Sequence, residues 1–192
     1  DKAIKINKLI ENVDDKLIEP IQIKIKYIHL AMNYFYLSQP KKSLKYYTHL
    51  LEMHPNEEWD AFTKLDLANC LIYMKDFDKA SEILKKTSEI KEDLHARRHK
   101  IRIEYGIKFN QALSMIMNND IENAYVTIYK MKEMDKNIIH HYYYNLFSLY
   151  FFLNDIDSGY EWYYKERRDY KKPCFAIISD PLCENARKDD RY

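Results

Sequence analysis

The histidines and cysteines are the residues of this sequence whose chemistry could support a metal site or catalysis. His95 and His99 are one helical turn apart and His140 and His141 are adjacent, but no glutamate completes a His-Glu-x-x-His zinc motif. The cysteines lack the C-x-x-C spacing of a structural zinc site. The spacing therefore predicts no metal centre.

Glycine usage argues against nucleotide chemistry. Gly106 and Gly159 are the only glycines in the sequence, so it contains neither a phosphate-cradling loop nor a dinucleotide fingerprint. A nucleophile-elbow sequence is also absent. Paired acids such as Asp14 and Asp15 lie at predicted helix ends, where capping accounts for them. We therefore predict that the chain is not an enzyme and uses no cofactor.

The cysteines also indicate a compartment. Cys70 lies inside an apolar helical stretch, where a buried thiol is expected, and the sequence has no secretory signal. Cys174 and Cys183 flank a C-terminal segment, and a disulfide between them is the alternative. Unpaired thiols favour a reducing environment, so we predict a cytoplasmic protein.

The balance of charge argues against nucleic-acid and membrane partners. The chain has 31 basic and 30 acidic side chains, whereas a domain that binds polyanions usually has a basic excess. The basic cluster at 97–102 spreads around a helix and is interpreted as a solvated face, with an anion contact as the alternative. Residues 137–154 carry no charge but include histidine, asparagine and tyrosine, which favours a buried helix over a membrane span.

The elements that carry these residues are predicted to be helices. Tyr27, Leu30, Ala31 and Tyr34 recur with the helical period, and similar series follow along the chain. The five prolines lie where helices start or stop, and the scarcity of glycine predicts few turns with positive φ. The sequence therefore predicts an all-α fold.

Small residues recur in pairs about twelve positions apart, one in each helix of a predicted pair. A close crossing of two helices requires small side chains at the point of contact. The pairs are Ala31 with Ser43, Ala68 with Ala80, and Ala112 with Ala124, while in the fourth pair Gly159 is matched by Phe147, where a small residue is usual. Such tandem spacing is typical of a repeated helix-turn-helix unit.

These positions resemble the tetratricopeptide repeat family, whose repeat of about 34 residues places small, aromatic and aliphatic residues at fixed positions. The first unit matches with Tyr27, Leu30, Ala31, Tyr34, Ser43, Tyr47, Leu50 and Pro55. The steps between equivalent positions of successive units (Ala31, Ala68, Ala112 and Phe147) are 37, 44 and 35 residues, so the helices or loops are longer than the family norm. The resemblance implies a right-handed α-solenoid of antiparallel helix pairs.

We predict a single domain over 1–192. Its parts are the second helix of a partial repeat at 1–19, repeats at 22–55, 57–92, 97–136 and 137–171, and a cap at 173–192. Asp180 and Pro181 are predicted to be the N-cap and first residue of a short helix in the cap. Since Asp1 begins a second helix, the chain is predicted to be a piece of a longer protein.

The resemblance also implies where a partner binds, because first helices line the concave surface in this family. The corresponding positions are Ile28, Met32 and Phe35, then Leu65 and Asn69, then Phe109, Asn110 and Leu113, and finally Tyr144 and Phe151. Relatives that bind chaperone tails hold a carboxylate with Lys, Arg and Asn, but here Ile28, Met32 and Gly106 replace them. An apolar groove remains, with packed core as the alternative interpretation.

The predicted function is a protein-interaction scaffold whose concave, apolar groove docks a peptide or protein segment. One alternative is a peptide-sensing regulatory domain of a larger, DNA-binding protein, and another is a structural segment of a multi-subunit assembly. Self-association is also predicted, because the apolar series Ile6, Leu9, Ile10 and Val13 in the partial repeat lacks a neighbouring helix.

Overall fold

The computed structural model describes residues 2–53, 60–89, 97–137, 139, 142–170 and 176–192. Within these ranges the chain forms helices, turns and loops and no strand, which confirms the predicted all-α class. The α-helices are α1 (Lys2–Glu11), α2 (Pro20–Tyr36), α3 (Pro40–Met53), α4 (Asp60–Tyr73), α5 (Phe77–Ser88), α6 (Arg97–Met117), α7 (Ile121–Lys132), α8 (Tyr142–Phe152), α9 (Ile156–Tyr170) and α10 (Ala176–Ser179).

The chain divides into two compact units, Asp1–Thr87 and Ser88–Tyr192. In the first unit, α1 precedes the pairs α2–α3 and α4–α5. In the second, the pairs α6–α7 and α8–α9 are followed by α10 and by 3₁₀ turns at Pro181–Cys183 and Ala186–Lys188. Three residues link the helices of each pair, so the two helices run antiparallel, as a tetratricopeptide-like solenoid requires. The single domain over 1–192 stays a prediction.

All four turns within the pairs have the same backbone conformation. Their left-handed residues are Ser38 (φ 55°), Lys75 (φ 61°), Asn119 (φ 62°) and Asn154 (φ 62°). In each turn the next amide donates to the carbonyl five residues earlier, at 2.8 to 2.9 Å, which is the Schellman arrangement at a helix end. The expectation of few turns with positive φ was wrong, because non-glycine residues adopt that conformation here.

The first predicted pair of small residues is a contact between α2 and α3. Ala31 and Ser43 are both fully buried, and the Ser43 hydroxyl donates to the Ala31 carbonyl at 2.8 Å. The Cys70 thiol in turn donates to the Ser43 hydroxyl at 3.2 Å. A larger side chain at either small position would separate the two helices.

The fourth pair reaches the same close approach with a different combination of sizes. Gly159 of α9 lies against the ring of Phe151, and a Cβ added to Gly159 would overlap that ring. Phe147, which occupies the position held by Ala31 in the first repeat, is fully buried beside Phe151. Glycine is needed here because two large aromatic side chains fill the space between α8 and α9.

Each unit has its own apolar core. A core cluster of the first unit joins α2, α3 and α4 through Ala31, Tyr47, Leu50, Leu67 and Cys70. Its counterpart in the second unit joins α8 and α9 to the C-terminal segment through Phe147, Phe151, Tyr160, Ile177, Cys183 and Ala186. Burial of these side chains is the main source of stability in each unit.

The C-terminal segment starts as the sequence predicts. The Asp180 carboxylate accepts a hydrogen bond from the Leu182 amide at 2.8 Å, and Pro181 occupies the first position of the 3₁₀ turn. Arg187 fixes the segment further, because its guanidinium donates to the carbonyls of Ile177 and Asp180 at 3.0 and 2.8 Å. The predicted capping roles of Asp180 and Pro181 are confirmed.

Candidate functional site

One face of α2 carries a stripe of exposed aliphatic side chains. Ile21, Ile25 and Met32 are 59%, 48% and 39% exposed, and their spacing places them on one side of the helix. The opposite side, which includes Leu30 and Tyr34, is buried against the rest of the unit. The stripe contains the predicted groove position Met32, which a partner could reach directly.

The other predicted groove residues of the first unit connect this stripe to α4. Ile28 and Phe35 are half-buried and pack against the core cluster of α2, α3 and α4. The Phe35 ring meets Tyr73 of α4 edge-on, with centroids 4.9 Å apart. Leu65 is buried. These contacts form one apolar surface across α2 and α4.

Asn69 provides a polar group on this surface. The residue is half-buried, and its side-chain oxygen has no hydrogen-bond partner within the described part of the chain. A buried amide oxygen without a donor costs free energy, and a backbone N–H from a bound segment would remove that cost. The first unit therefore combines an apolar face with a buried amide oxygen that lacks a described donor.

In the third repeat the predicted groove residues are buried. Phe109 is 7% exposed, Leu113 is fully buried, and Asn110 is 3% exposed. The Asn110 amide nitrogen donates to the Gly106 carbonyl one turn earlier, at 3.0 Å. These three side chains contribute to packing in the second unit and offer little surface to a partner.

In the fourth repeat the chain's own C-terminal segment covers the predicted positions. Phe151 is fully buried in the cluster that includes Ile177, and its carbonyl accepts a hydrogen bond from Asn185 at 2.9 Å. The half-buried Tyr144 donates from its hydroxyl to the Asp180 carboxylate. Burial raises the pKa of Asp180 to about 6, although the Leu182 amide and Arg187 partly offset this effect.

A polar network holds α1 to α2 and α3, and its partners were not predicted from the sequence. The Glu11 carboxylate accepts hydrogen bonds from Tyr34 and Tyr46 at 2.7 and 2.5 Å. Burial alone would raise the pKa of Glu11, but these two hydroxyls and nearby lysines lower it. Helical spacing places Glu11 on the face of α1 that meets α2, but tyrosine partners so distant in sequence could not be inferred.

Asp15 extends the network. Its carboxylate accepts hydrogen bonds from Lys26 at 2.8 Å and from Tyr27 at 2.6 Å, and these bonds lower its pKa. Asp14 does cap the following 3₁₀ turn, since it accepts from the Lys16 amide at 2.9 Å. Capping therefore explains Asp14, but Asp15 instead joins the chain segment before α2 to α2 itself.

A cavity of about 590 Å³ lies beside this network. Its lining includes Leu30 and Leu44 as apolar surface, with charged groups of both signs, among them Glu11, Lys41 and Lys45. Glu11 already accepts two hydrogen bonds, and the mixed charge of the lining favours neither an anion nor a cation. The cavity alone therefore does not identify a ligand class.

Two further expectations concern metals and membranes. The described residues contain no group of three or more histidine, cysteine or acidic side chains that could hold a metal ion. Across the same ranges, no helix has the length and apolar character needed to cross a membrane. Some residues singled out from the sequence lie outside the described residues, namely Asp1, Pro55, His95, His140, His141 and Cys174.

Comparison with known proteins agrees with this architecture. The sequence model of the tetratricopeptide repeat family matches residues 23–93, which cover most of α2 and all of α3, α4 and α5. Searches of curated proteins and of solved structures found no significant match. The match supports a protein-interaction repeat domain, and repeats of this family are typically scaffolds without catalytic activity.

Proposed function

We propose that this chain is a protein-interaction scaffold, because residues 23–93 match the tetratricopeptide repeat family and the second unit has similar paired helices. Its docking site is the apolar surface of the first unit, formed by Ile25, Ile28, Met32 and Phe35 of α2 together with Asn69 of α4. The ligand is a peptide or protein segment with an apolar face.

The observation that carries this proposal is the exposed stripe on α2. Solvent-exposed aliphatic side chains are normal when isolated, but a row on one helix face is the kind of surface that proteins use for association. Ile25 and Met32 are 48% and 39% exposed and lie two turns apart. Their burial under a ligand would supply the main driving force for binding.

Asn69 supports the same assignment. Apolar burial gives affinity with little control over orientation, whereas a few polar groups fix the position of the ligand. The unpartnered side-chain oxygen of Asn69 would accept a main-chain N–H from the docked segment. The groove residues predicted in the second unit, Phe109 and Leu113 among them, are not part of this site because they are buried.

A protein partner fits the compartment that the cysteines indicate. The buried Cys70 thiol donates to Ser43, so it is held as a thiol inside the first unit. We include a reducing, cytoplasmic location in the proposal on this basis.

The test is affinity capture from native lysate with two matched variants. Met32→Glu places a charge in the α2 stripe, while Tyr129→Glu places one on α7, where Tyr129 is 64% exposed. Both positions are exposed, so we expect helicity by circular dichroism to be unchanged. A protein retained by the wild-type chain and by Tyr129→Glu, and lost with Met32→Glu, would identify the partner of this surface.

Equal retention by the two variants would contradict the proposed site. A photo-crosslinking residue at Ile25 then locates the contact, because labelling of the retained protein from Ile25 requires it to lie on the α2 stripe. If Ile25 labels no retained protein and the two variants retain the same proteins, the first unit is not the docking site.

A further inference from the structure

The Asp180 carboxylate is a buried acidic group whose hydrogen-bond donors are both uncharged. Asp180 is 1% exposed, and it lies where the C-terminal segment, residues 176–192, packs against α8. Its carboxylate accepts hydrogen bonds from the Leu182 amide at 2.8 Å and from the Tyr144 hydroxyl. Neutral donors satisfy the oxygen atoms of a buried carboxylate, but they do not cancel its charge.

The charged group closest in function to a counter-ion is Arg187, and it is committed elsewhere. Its guanidinium donates to the main-chain carbonyls of Ile177 and Asp180, at 3.0 and 2.8 Å. No cation of the described residues forms an ion pair with the Asp180 carboxylate. Arg187 therefore attracts this carboxylate through space without binding it.

The other elements around Asp180 supply little charge. α8 (Tyr142–Phe152) and α10 (Ala176–Ser179) contain no Asp, Glu, Lys, Arg or His. The apolar cluster beneath the segment includes the hydroxyls of Tyr160 and Tyr163 and the thiol of Cys183, which are neutral groups. At the surface of the segment, Glu184 and Lys188 pair with each other at 2.7 Å.

The carboxyl groups of the segment consequently differ in their pKa. Burial raises the pKa of Asp180 from its ordinary value of 3.8 to about 6, despite the Leu182 amide and Arg187. The pKa of Glu184 is lowered by its hydrogen bond with Lys188, and that of Asp189 by its hydrogen bonds with Arg191. Glu184 and Asp189 therefore keep their charge in the range of pH where Asp180 loses its own.

We propose that the C-terminal segment is a pH-dependent latch on α8, which closes more tightly when the Asp180 carboxyl is protonated and more loosely when it is ionised. A protonated carboxyl still has a carbonyl oxygen that accepts from the Leu182 amide and the Tyr144 hydroxyl. Protonation therefore removes the buried charge and keeps the hydrogen bonds that position the segment.

The sign of the effect follows from the two positions of the segment. When the segment opens, Asp180 enters water and its pKa returns to the ordinary value, so the closed position binds the proton more tightly. The resulting stabilisation is complete below pH 3.8 and is lost as the pH rises through about 6. Between about pH 7.5 and about pH 5, the equilibrium constant for opening should fall about tenfold.

Other contacts keep the segment docked when Asp180 is ionised. Phe151 packs against Ile177 and Cys183, the Asn185 amide donates to the Phe151 carbonyl at 2.9 Å, and Tyr160 donates to the Ala186 carbonyl at 3.3 Å. None of these contacts involves a group that changes charge in this range. Mild acidification therefore changes how often the aromatic residues of α8 become accessible, and the segment does not detach at neutral pH.

A simple capping role for Asp180 predicts the opposite dependence on pH. An aspartate at an exposed N-cap stabilises in its ionised form, so acid weakens the structure that it caps. Asp180 does cap the 3₁₀ turn at Pro181–Cys183, but its burial adds a desolvation cost that an exposed cap does not have. The direction of the pH dependence therefore distinguishes a latch from a cap.

The test is amide hydrogen exchange of the full chain at about pH 5 and about pH 7.5, corrected for the intrinsic exchange rates. Protection of residues 180–189 is expected to be about tenfold higher at the lower pH, with α2 in the first unit as the internal reference. A carbon-13 titration of the Asp180 carboxyl resonance should have its midpoint near 6.

Two variants assign the effect to Asp180. Asp180→Asn keeps an acceptor oxygen without a charge, so the segment should be at least about tenfold more protected than in the wild type at about pH 7.5, and the pH dependence should disappear. Glu184→Gln is the matched control, because it neutralises an exposed carboxylate of the same segment. This control should keep the dependence of the wild type.

Three results would overturn the proposal. A midpoint for Asp180 at or below its ordinary value would show that burial does not disfavour its charge. Equal protection at the two pH values, or greater protection at the higher one, would leave Asp180 as a cap only. Persistence of the wild-type dependence in Asp180→Asn would assign it to another group. If Asp180→Asn fails to fold, the carbon-13 midpoint and the exchange of the wild type still decide the question.

Discussion

The first helix of repeat one and the first helix of repeat four occupy equivalent positions in their repeats but present different surfaces. On α2 the inward-facing Met32 is 39% exposed, whereas on α8 the equivalent Ser148 is fully buried. The C-terminal segment covers part of α8, since Tyr144 donates to Asp180 and Asn185 donates to the Phe151 carbonyl. Whether a residue can contact a partner therefore depends on the segments that pack on it, and not on its position within the repeat.

The same two repeats differ in how they fill the crossing between their helices. Repeat one places Ala31 opposite Ser43, so two small side chains share the space. Repeat four combines Phe147 with Gly159, and Phe151 lies directly against that glycine. Repeat four thus has aromatic side chains where repeat one has small ones, and these aromatic side chains give the C-terminal segment an apolar surface to cover.

Gly159→Ala is expected to cause the largest loss of stability, because it adds a methyl group where the aromatic side chains of repeat four fill the space. The new Cβ overlaps the fully buried Phe151 ring, and overpacking of a core typically costs about 1–3 kcal/mol. Helix propensity alone predicts the opposite sign, since alanine is favoured over glycine by about 1 kcal/mol within a helix. The free energy of unfolding in urea, followed by circular dichroism, shows whether the variant is destabilised by overpacking or stabilised by helix propensity.

Two companion variants sharpen this prediction. Adding Phe151→Ile to Gly159→Ala gives repeat four the combination that repeat two has in Ile72 and Ala80. We expect the double variant to lose less stability than the sum of the single losses, because the two positions are in contact. A Gly159→Ala protein more stable than the wild type would show that the ring moves aside at no cost.

Tyr144→Phe is expected to have an effect of similar size that is confined to the C-terminal segment. It removes the hydroxyl that donates to the buried Asp180 carboxylate, and hydrogen bonds to charged groups contribute about 1.5–3 kcal/mol. The loss should appear as faster amide hydrogen exchange in residues 180–189, by at least about tenfold. α2 should exchange as before, because it lies in the first unit.

Tyr164→Phe is the control for this measurement. Tyr164 is 51% exposed on α9, so removal of its hydroxyl should leave exchange in the C-terminal segment unchanged. If Tyr144→Phe also left it unchanged, the segment would be held by its buried apolar residues and by the hydrogen bonds of Asn185 and Arg187. The contrast between an open α2 and a covered α8 would then depend on packing without this polar link.

The helix pairs were predictable from the sequence because their cause is local. Small residues twelve positions apart, such as Ala68 and Ala80, mark a crossing wherever they occur, and both are buried here. Asp180 and Pro181 were also predictable, since capping depends on neighbouring residues. Periodicity and capping signals are properties of short segments, so they can be recognised in the sequence without knowledge of the fold.

The surfaces were less predictable because they depend on contacts distant in sequence. The sequence places Phe35 and Phe151 at equivalent predicted groove positions, but only the folded chain brings Cys183 and Ala186 to Phe151. Similarly, Asp15 has the appearance of a capping residue, while its partners Lys26 and Tyr27 follow after a turn and the start of α2. Which residues of a repeat remain exposed is decided by the segments that flank it.

The four turns share one backbone conformation, so the two units can be compared at the residue with positive φ. We expect substitutions there to have the smallest effect on stability. Serine and lysine hold the left-handed position in the first unit, at Ser38 and Lys75, whereas asparagine holds it in the second, at Asn119 and Asn154. Asparagine tolerates positive φ better than lysine does, because its short polar side chain can hydrogen-bond locally. The turns of the first unit therefore carry more backbone strain.

Replacement of these residues by glycine measures that strain. Lys75→Gly should stabilise the chain by up to about 1 kcal/mol, since glycine adopts positive φ without steric cost. Asn119→Gly should change stability by only a few tenths of a kcal/mol, because relief of a small strain is offset by the greater freedom of glycine in the unfolded chain. Thermal unfolding of the two variants beside the wild type gives the comparison. Equal shifts for Lys75→Gly and Asn119→Gly would mean that residue type does not matter at this position, and that the hydrogen bonds of the turn alone set its conformation.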